Sequence, residues 1–308
     1  MASPVLARRR LGRTGIDATV IGCGGVALGS FHAGEGIDDR SAVETVRRAF
    51  EVGINYLDTS PLYNESERRF GLALRELGGM PSGCHISTKT GTHPLRRYDY
   101  SAEATRWSVR NSLDLLGLPR VDAVLVHDPP SMESVLAPGG ALEELERMRG
   151  EGLLGAIGLG CRPHEHHRQA IQSGRFDLIL TFADYNLVSQ SAASLIDEAY
   201  AAGLGVLVAQ VIAAGLLAGP DPSGSERLRN RPEYPRALEW WRWAQERDLP
   251  LQAVAVQWVL RNPKVGCVLI GPRSSSEVEE NVRLATQPLP DGVWNEVDAL
   301  IARQRAES

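Results

Sequence analysis

Asn55-Tyr56-Leu57-Asp58-Thr59-Ser60-Pro61-Leu62-Tyr63-Asn64 is an apolar, strand-like run that stops at an acid and turns through a proline to a phenol. The pattern recurs further on. His85-Ile86-Ser87-Thr88-Lys89 ends on an ammonium, and Val121-Asp122-Ala123-Val124-Leu125-Val126-His127 ends on an imidazole. These runs are short and apolar, as strands are when both faces of their sheet are covered. A segment of helical periodicity follows each of them.

The same alternation extends in both directions. Polar, turn-rich residues 7–18 predict a hairpin, and 18–21 a first core strand. A helix over 40–52 places Val43, Val46, Ala49 and Phe50 on one face and stops at Gly53. Strand 54–57, helix 65–77, strand 84–88 and helix 101–116 come next, the last opening at Ser101 with Glu103 in its first turn. Strand 121–126, a helix near 140–149, strand 154–158, helix 163–172, strand 177–180, helix 189–202 and strand 204–208 continue the series. An insert over 213–234, rich in Gly, Pro, Asp and Arg, precedes helices 235–247 and 251–261. Strand 266–270, a helix over 275–285 and a helical tail over 291–304 close the chain. Eight strands that each lead to a helix predict an α/β fold, a (β/α)8 TIM barrel with an N-terminal hairpin and an extra C-terminal helix. A doubly wound open sheet is the competing arrangement. Residues 1–308 are expected to form one barrel domain. A barrel carries its active site at the C-terminal ends of its strands. Asp58, Tyr63, Lys89 and His127 then share one rim.

Composition narrows the function classes. The net charge is −5 and Arg8-Arg9-Arg10 is only a short cluster, so neither nucleic acid nor an anionic membrane is an expected partner. Cys23, Cys84, Cys161 and Cys267 form no CxxC pair and read as reduced, buried thiols of a cytoplasmic protein. No apolar run approaches the roughly 18 residues of a membrane span, and the first residues hold no signal-peptide core. Gly22-Cys23-Gly24-Gly25-Val26-Ala27 fits the G-x-G-x-x-A form of a dinucleotide fingerprint. That motif needs a helix opening on its glycines, and here loop residues follow, with a helix starting only near Asp38-Asp39-Arg40. His164, His166 and His167 lack a metal-binding spacing and a carboxylate motif, so no metal is expected. Trp240, Trp241 and Trp243 read as core packing.

The four rim residues suggest proton handling at a carbonyl. A phenol, with a pKa near 10, is by itself a poor acid or base at neutral pH. A neighbouring ammonium favours the phenolate. Asp58 can hold Lys89 charged and in place, and His127 can donate a hydrogen bond to a carbonyl oxygen. Tyr63 then gives that oxygen a proton, or takes one in reverse. The set suits carbonyl–alcohol interconversion, given a hydride carrier.

Gly53-x-Asn55-x-x-Asp58-Thr59-Ser60-x-x-Tyr63, Thr88-Lys89 and Leu125-Val126-His127 resemble the aldo-keto reductase superfamily. So do Gly215-Leu216-Leu217-Ala218-Gly219 and Ile270-Gly271-Pro272-Arg273-Ser274 with Glu280-Asn281. The likeness spans about residues 8 to 285. It implies Tyr63 as general acid/base, Asp58 and Lys89 as its electrostatic support, and His127 as the group that orients substrate. It also implies NAD(P)(H), bound over the rim by Gly25, Gly215, Leu216, Gly271, Arg273, Ser274, Glu277, Glu280 and Asn281, with Gln210 a further candidate where the chain departs from the family pattern. Ser274-x-x-Glu277 is also a capping box. A carboxylate at Glu277 would repel a 2′-phosphate, which leans the expectation slightly to NAD, although Arg273 could bind such a phosphate.

The chain departs from the family pattern where the nicotinamide carboxamide is usually held. Gly160-Cys161 replaces Ser-Asn, and Thr181-Phe182-Ala183-Asp184 stands where Gln is common. Ala209-Gln210 replaces the stacking Tyr, leaving Gln210 and Asp184 as candidates for the contact. After His127 comes Asp128-Pro129 in place of the common Trp. That run resembles the subgroup of sugar dehydrogenases that oxidise aldoses at the anomeric carbon. Physically, an acid offers acceptors to hydroxyls. Phe31, His32, Leu62, His93, Leu95 and Asp128 are the candidate substrate contacts. Alternatives are an aldehyde or ketone reductase of secondary metabolism, and a nucleotide-sensing regulatory subunit.

Overall fold

The computed structural model describes residues 6–29 and 36–307. It begins with β1 (Arg8–Arg10) and β2 (Asp17–Thr19), an antiparallel hairpin. Eight parallel strands follow: β3 (Ile21–Gly24), β4 (Tyr56–Asp58), β5 (His85–Thr90), β6 (Val121–His127), β7 (Leu154–Gly160), β8 (Leu178–Phe182), β9 (Gly205–Ala209) and β10 (Cys267–Ile270). They close into a barrel in chain order, β10 pairing with β3. The expected TIM barrel with its N-terminal hairpin is therefore present, and the open sheet is not.

Around the barrel run α1 (Asp39–Glu51), α2 (Ser66–Glu76), α3 (Ala102–Leu116), α4 (Glu133–Leu136), α5 (Ala141–Gly150) and α6 (His164–Ser173). Then come α7 (Ala193–Ala201), α8 (Glu226–Arg229), α9 (Tyr234–Gln245), α10 (Leu251–Leu260), α11 (Ser275–Thr286) and α12 (Val293–Ala306). Local chemistry sets their starts. Asp38 caps α1 through the Ser41 N–H, and Ser101 caps α3 through that of Ala104. Gly117 ends α3 in a left-handed conformation. Trp240 and Trp243 are buried against α10 and α12 neighbours, as packing residues. No helix among the described residues is long and apolar enough to cross a membrane.

Three expectations shift. The first core strand is not 18–21: Asp17–Thr19 belongs to the hairpin, and the barrel strand starts at Ile21. The apolar run crosses both elements because the hairpin plugs the barrel floor. Leu11, Ile16 and Ala18 are buried with the inward side chains Tyr56, Ala123, Leu125, Leu178 and Leu207. Asn55 fixes this plug, accepting from the Thr19 N–H at 2.7 Å and donating to Asp17 O at 2.9 Å. Gly12 makes the close approach possible, since a Cβ there would lie 2.3 Å from Gly205 N at φ +49°. The helix expected over 189–202 starts only at Ala193, because the Asn186 side chain accepts from the Val188 and Ser189 N–H groups and holds a turn. The strict strand–helix alternation breaks after β9, where short turns and α8 fill the insert before α9 and α10.

Backbone strain marks one face. Asn64, Tyr98, Asp128, Ala183, Gln210, Ala213 and Ala214 have positive φ, and all lie on loops leaving the C-terminal ends of strands. Among the described non-glycine residues only Asp248 shares that conformation elsewhere. Strain of this kind gathers where geometry serves function.

Candidate active site

Side chains of a strand alternate between faces. Tyr56 and Leu125 point into the barrel, so Asp58 and His127, two residues on, point into its mouth. Ser87 and Lys89 repeat the relation on β5, where Asp58 pairs in register with Ser87. The period of two thus turns all three strand-end side chains toward the barrel mouth.

Lys89 Nζ donates to Asp58 Oδ2 at 2.6 Å and to Thr59 O at 2.8 Å. Ser87 Oγ donates to Asp58 Oδ1 at 2.8 Å, so both carboxylate oxygens are occupied. Lys89 is 1% exposed and Asp58 4%. This is a desolvated ion pair with its hydrogen bonds made, the condition under which such a pair holds. Lys89 Nζ lies 4.9 Å from the Tyr63 ring centroid and hydrogen-bonds the phenol. The Tyr63 and His127 rings meet edge to face, with centroids 5.9 Å apart. The structure therefore brings all four expected residues together.

The Tyr63 loop is held by its own backbone. The Tyr63 N–H donates to Ser60 O, the Ser66 N–H donates to Tyr63 O, and the Thr59 and Ser66 hydroxyls pair at 2.8 Å. A Cβ on Gly29 would lie 1.8 Å from Tyr63 O, so only glycine lets the preceding loop pack there. The His127 Nδ1 lies 2.7 Å from Thr92 Oγ1 and 3.3 Å from Ser60 Oγ. Its Nε2 lies 3.6 Å from Asp128 Oδ2. The Tyr100 hydroxyl donates to His127 O at 2.6 Å and braces the strand end.

Charge follows from this packing. Burial is the largest influence on Lys89 and opposes its charge, but Asp58 and the Tyr63 phenol outweigh it and leave its pKa raised. Burial and the Lys89 charge hold His127 well below the usual imidazole range, so it is neutral. Burial pushes Tyr63 above the ordinary phenol value. Lys89 pulls it back, against Asp58 and Asp128. The expectation that the ammonium would set a lowered phenol pKa is corrected, because desolvation outweighs it. Burial also raises the Asp128 carboxyl, with Lys89 opposing.

The outer candidates divide. Asp128 reaches the centre through a left-handed backbone at φ +43°. Leu62 is half-buried on the Tyr63 loop, its N–H on Ser60 Oγ. His93 does not join them. It caps its own loop by accepting from the Leu95 N–H, its ring sits edge-on to Trp107 at 4.5 Å, and Leu95 is exposed. Phe31 and His32 lie outside the described residues.

At the rim segment where a nucleotide was expected, α11 opens on Ser274 as N-cap, with the return bond of Glu277 falling one residue before the cap. Ser274 Oγ accepts from the Glu277 N–H, and Glu277 Oε2 accepts from the Arg273 N–H. Glu280 is engaged with Arg283. Asn281 is half-buried on the same helix. Gly271 follows β10, with Gly24 of β3 beside it. Gly25 has a packing duty, since a Cβ would lie 2.3 Å from Ser66 Oγ. Gln210 is exposed at the end of β9. Gly215 takes φ +100° in the following turn, and the Leu216 side chain is buried in the core. Asp184 is buried and accepts on Oδ2 from Thr181 Oγ1 at 2.6 Å, with His164 Nε2 at 2.7 Å. Its Oδ1 has no partner among the described residues.

The histidine cluster is spread out, His164 on Asp184 and His167 on Cys161 O. No three metal-ligating groups converge among the described residues. The four cysteines are free, and Cys84 is half-exposed where burial was expected. Only a single 3-10 turn, Ala27–Gly29, follows Gly22–Ala27, and the first α-helix starts at Asp39, so these glycines do not open the helix that a dinucleotide fingerprint needs. Sequence reading missed Ser60, Ser87, Thr92 and Tyr100. Ser87 carries a signal, two residues before Lys89 on one strand, whereas Thr92 gives none.

Comparison with known proteins agrees with this geometry. The model of the aldo/keto reductase family matches residues 20–302. L-galactose dehydrogenase of Arabidopsis thaliana is 31% identical, over 91% of this chain and 88% of its own. D-threo-aldose 1-dehydrogenase of a Pseudomonas species is 29% identical, over 92% and 94%. The solved glycerol dehydrogenase of Gluconobacter oxydans superposes with a TM-score of 0.78 over 99% of this chain and 97% of its own, and at 24% identity that likeness concerns the fold. Barrel, rim and relatives together show an oxidoreductase: the chain belongs to the aldo/keto reductase family.

Proposed function

We propose that this protein oxidises an aldose at its anomeric carbon to a lactone, with NAD as the preferred acceptor. The observation that carries the reading is Asp128. Its carboxylate lies 3.6 Å from the His127 nitrogen, beside the place where a substrate oxygen must sit. Two acceptor oxygens there suit the hydroxyls of a sugar and penalise an aromatic ring. Sugar dehydrogenases among the relatives, the L-galactose and D-threo-aldose enzymes, support the same substrate class.

The residues at the start of α11 fit a nucleotide. Ser275 and Ser276 present N–H groups with no partner among the described residues, at a helix N-terminus where an anion is favoured. Gln210 and the Gly215 turn follow β9, the strand beside β10, and are further candidates for the nucleotide. A bound nicotinamide supplies the hydride acceptor. Tyr63 takes the proton of the anomeric hydroxyl as the carbon–hydrogen bond breaks. Lys89 stabilises the phenolate that Tyr63 needs for this step, and Asp58 keeps Lys89 charged. His127 donates to the same substrate oxygen and orients it. Glu277 places a carboxylate at the adenosine end, which favours NAD over a 2′-phosphate.

A panel of aldoses, aliphatic aldehydes and aromatic aldehydes with both nucleotides, followed at the absorbance of the reduced nicotinamide, tests this. Aldose oxidation with the lower KM for NAD is expected. Aldehyde reduction without turnover of any aldose would overturn the substrate class, and a much lower KM for NADP the cofactor preference.

A further inference from the structure

The two nitrogens of His127 face opposite chemistry. Nδ1 meets two hydroxyls, Thr92 Oγ1 at 2.7 Å and Ser60 Oγ at 3.3 Å. Nε2 meets one carboxylate oxygen, Asp128 Oδ2 at 3.6 Å. Ser60, Thr92 and His127 are all buried, so water does not mediate freely between them. A neutral imidazole carries its proton on one nitrogen and a lone pair on the other. An ionised carboxylate only accepts, and is attracted to an N–H and repelled by a lone pair. A hydroxyl serves either way. Ser60 Oγ already accepts from the Leu62 N–H at 3.2 Å, which leaves its own proton to give. Thr92 has the shortest contact to the ring and the better distance for donation to Nδ1.

We propose that Thr92, supported by Ser60, is a positioning residue that holds His127 as the neutral Nε2–H tautomer and so aims a donor at the substrate oxygen. With the proton on Nδ1, a lone pair would face that oxygen and repel it. The loop that carries Thr92 is built to keep its distance. Gly91 has φ +94°, a Cβ there would lie 2.1 Å from the Tyr100 ring, and the Tyr100 hydroxyl is bonded to His127 O. Tyr100 therefore ties the loop to the strand end. The catalytic consequence rests on the proposed carbonyl–alcohol reaction. The tautomer itself does not.

The test is a long-range proton–nitrogen correlation spectrum of the imidazoles in 15N-labelled, ligand-free protein at pH 7. The His127 signal is identified by its loss in His127→Gln. The Nε2–H pattern is expected for the wild type. Thr92→Val keeps the shape and removes the hydroxyl. It should move the Nδ1 resonance toward that of a nitrogen without a hydrogen bond and lower kcat roughly five- to tenfold, the equivalent of one neutral hydrogen bond. Thr92→Ser should restore both. An Nδ1–H or doubly protonated His127 in the wild type would overturn the proposal, whatever the variants do. So would a Thr92→Val protein with unchanged resonance and kcat. The spectrum needs no turnover, so an inactive substrate panel defeats the proposed function without touching this measurement.

Discussion

Replacing Asp58 by Asn removes one charge from the most buried ion pair of the site and almost no volume. Lys89 keeps Thr59 O at 2.8 Å and loses its counter-ion at 2.6 Å, while remaining 1% exposed. An Asn also offers a single carbonyl oxygen to two donors, Ser87 Oγ–H and the Lys89 ammonium. One of them loses its acceptor on residue 58 and falls back on a single backbone carbonyl, Thr59 O for Lys89 or Leu57 O for Ser87. Breaking a buried pair on one side costs about 3–5 kcal/mol, which in a chain of this length lowers Tm by about 6 °C. The loss should depend on pH. Without Asp58, burial dominates Lys89 and brings its folded pKa below its unfolded value. The folded variant then sheds the proton before the unfolded chain does, and its stability deficit shrinks as pH rises from 7 toward 9. The neutral double variant Asp58→Asn with Lys89→Met should regain part of the stability and stay inactive. Urea melts at several pH values, with kcat measured alongside, provide the assay. A single-variant loss under about 1 kcal/mol, or a deficit that grows with pH, would refute the claim that this pair is desolvated and mutually dependent.

Tyr63→Phe should lower kcat by at least about a hundredfold while nucleotide affinity, read by fluorescence quenching, stays within about twofold; full turnover in that variant would remove Tyr63 from the proton transfer. Asp128→Leu should raise KM for aldoses by about tenfold or more and improve relative activity on aromatic aldehydes, so equal losses on both classes would contradict its role in selecting hydroxyls. Glu67 is buried on α2 and accepts from Thr88 Oγ1 at 2.5 Å, and burial pushes its pKa up to about 7. Between about 4.5, where the unfolded chain releases that proton, and about 7, the folded state retains it, so raising the pH across this window costs stability, up to about 3 kcal/mol. Glu67→Gln should flatten that slope in denaturant melts at pH 5 and 8, and parallel slopes for the two proteins would show that Glu67 is already ionised.

The legible part of the site was the part that repeats. Asp58, Lys89 and His127 each end an apolar run, and each run is followed by a helical segment, so strand ends and rim could be read before any contact was known. Tyr63 came with them because its loop is short. The poorly read part lay where hydrophobicity is continuous across an element boundary. Ile16, Ala18, Val20, Ile21 and Cys23 are apolar, the first two to fill the hairpin plug and the last two to build β3, and periodicity does not separate a plug from a strand. His93 looked like a pocket residue because loop position says nothing of ring direction, and the Leu95 N–H and Trp107 turn it to the loop instead.

By itself the sequence determined the barrel, its order of elements and the four residues on its rim, because strand and helix periods and turn chemistry are local properties of the chain. Tertiary structure alone decided how those residues behave. Burial, which sums contributions from many distant segments, leaves Tyr63 a weaker acid than Lys89 alone would make it, and keeps His127 neutral. The partners that complete the site come from separate loops and strands. Ser87 occupies the second Asp58 oxygen, Thr92 stands 35 residues from the His127 ring nitrogen it contacts, and Asp128 turns back on His127 only through a backbone angle that no side-chain pattern announces.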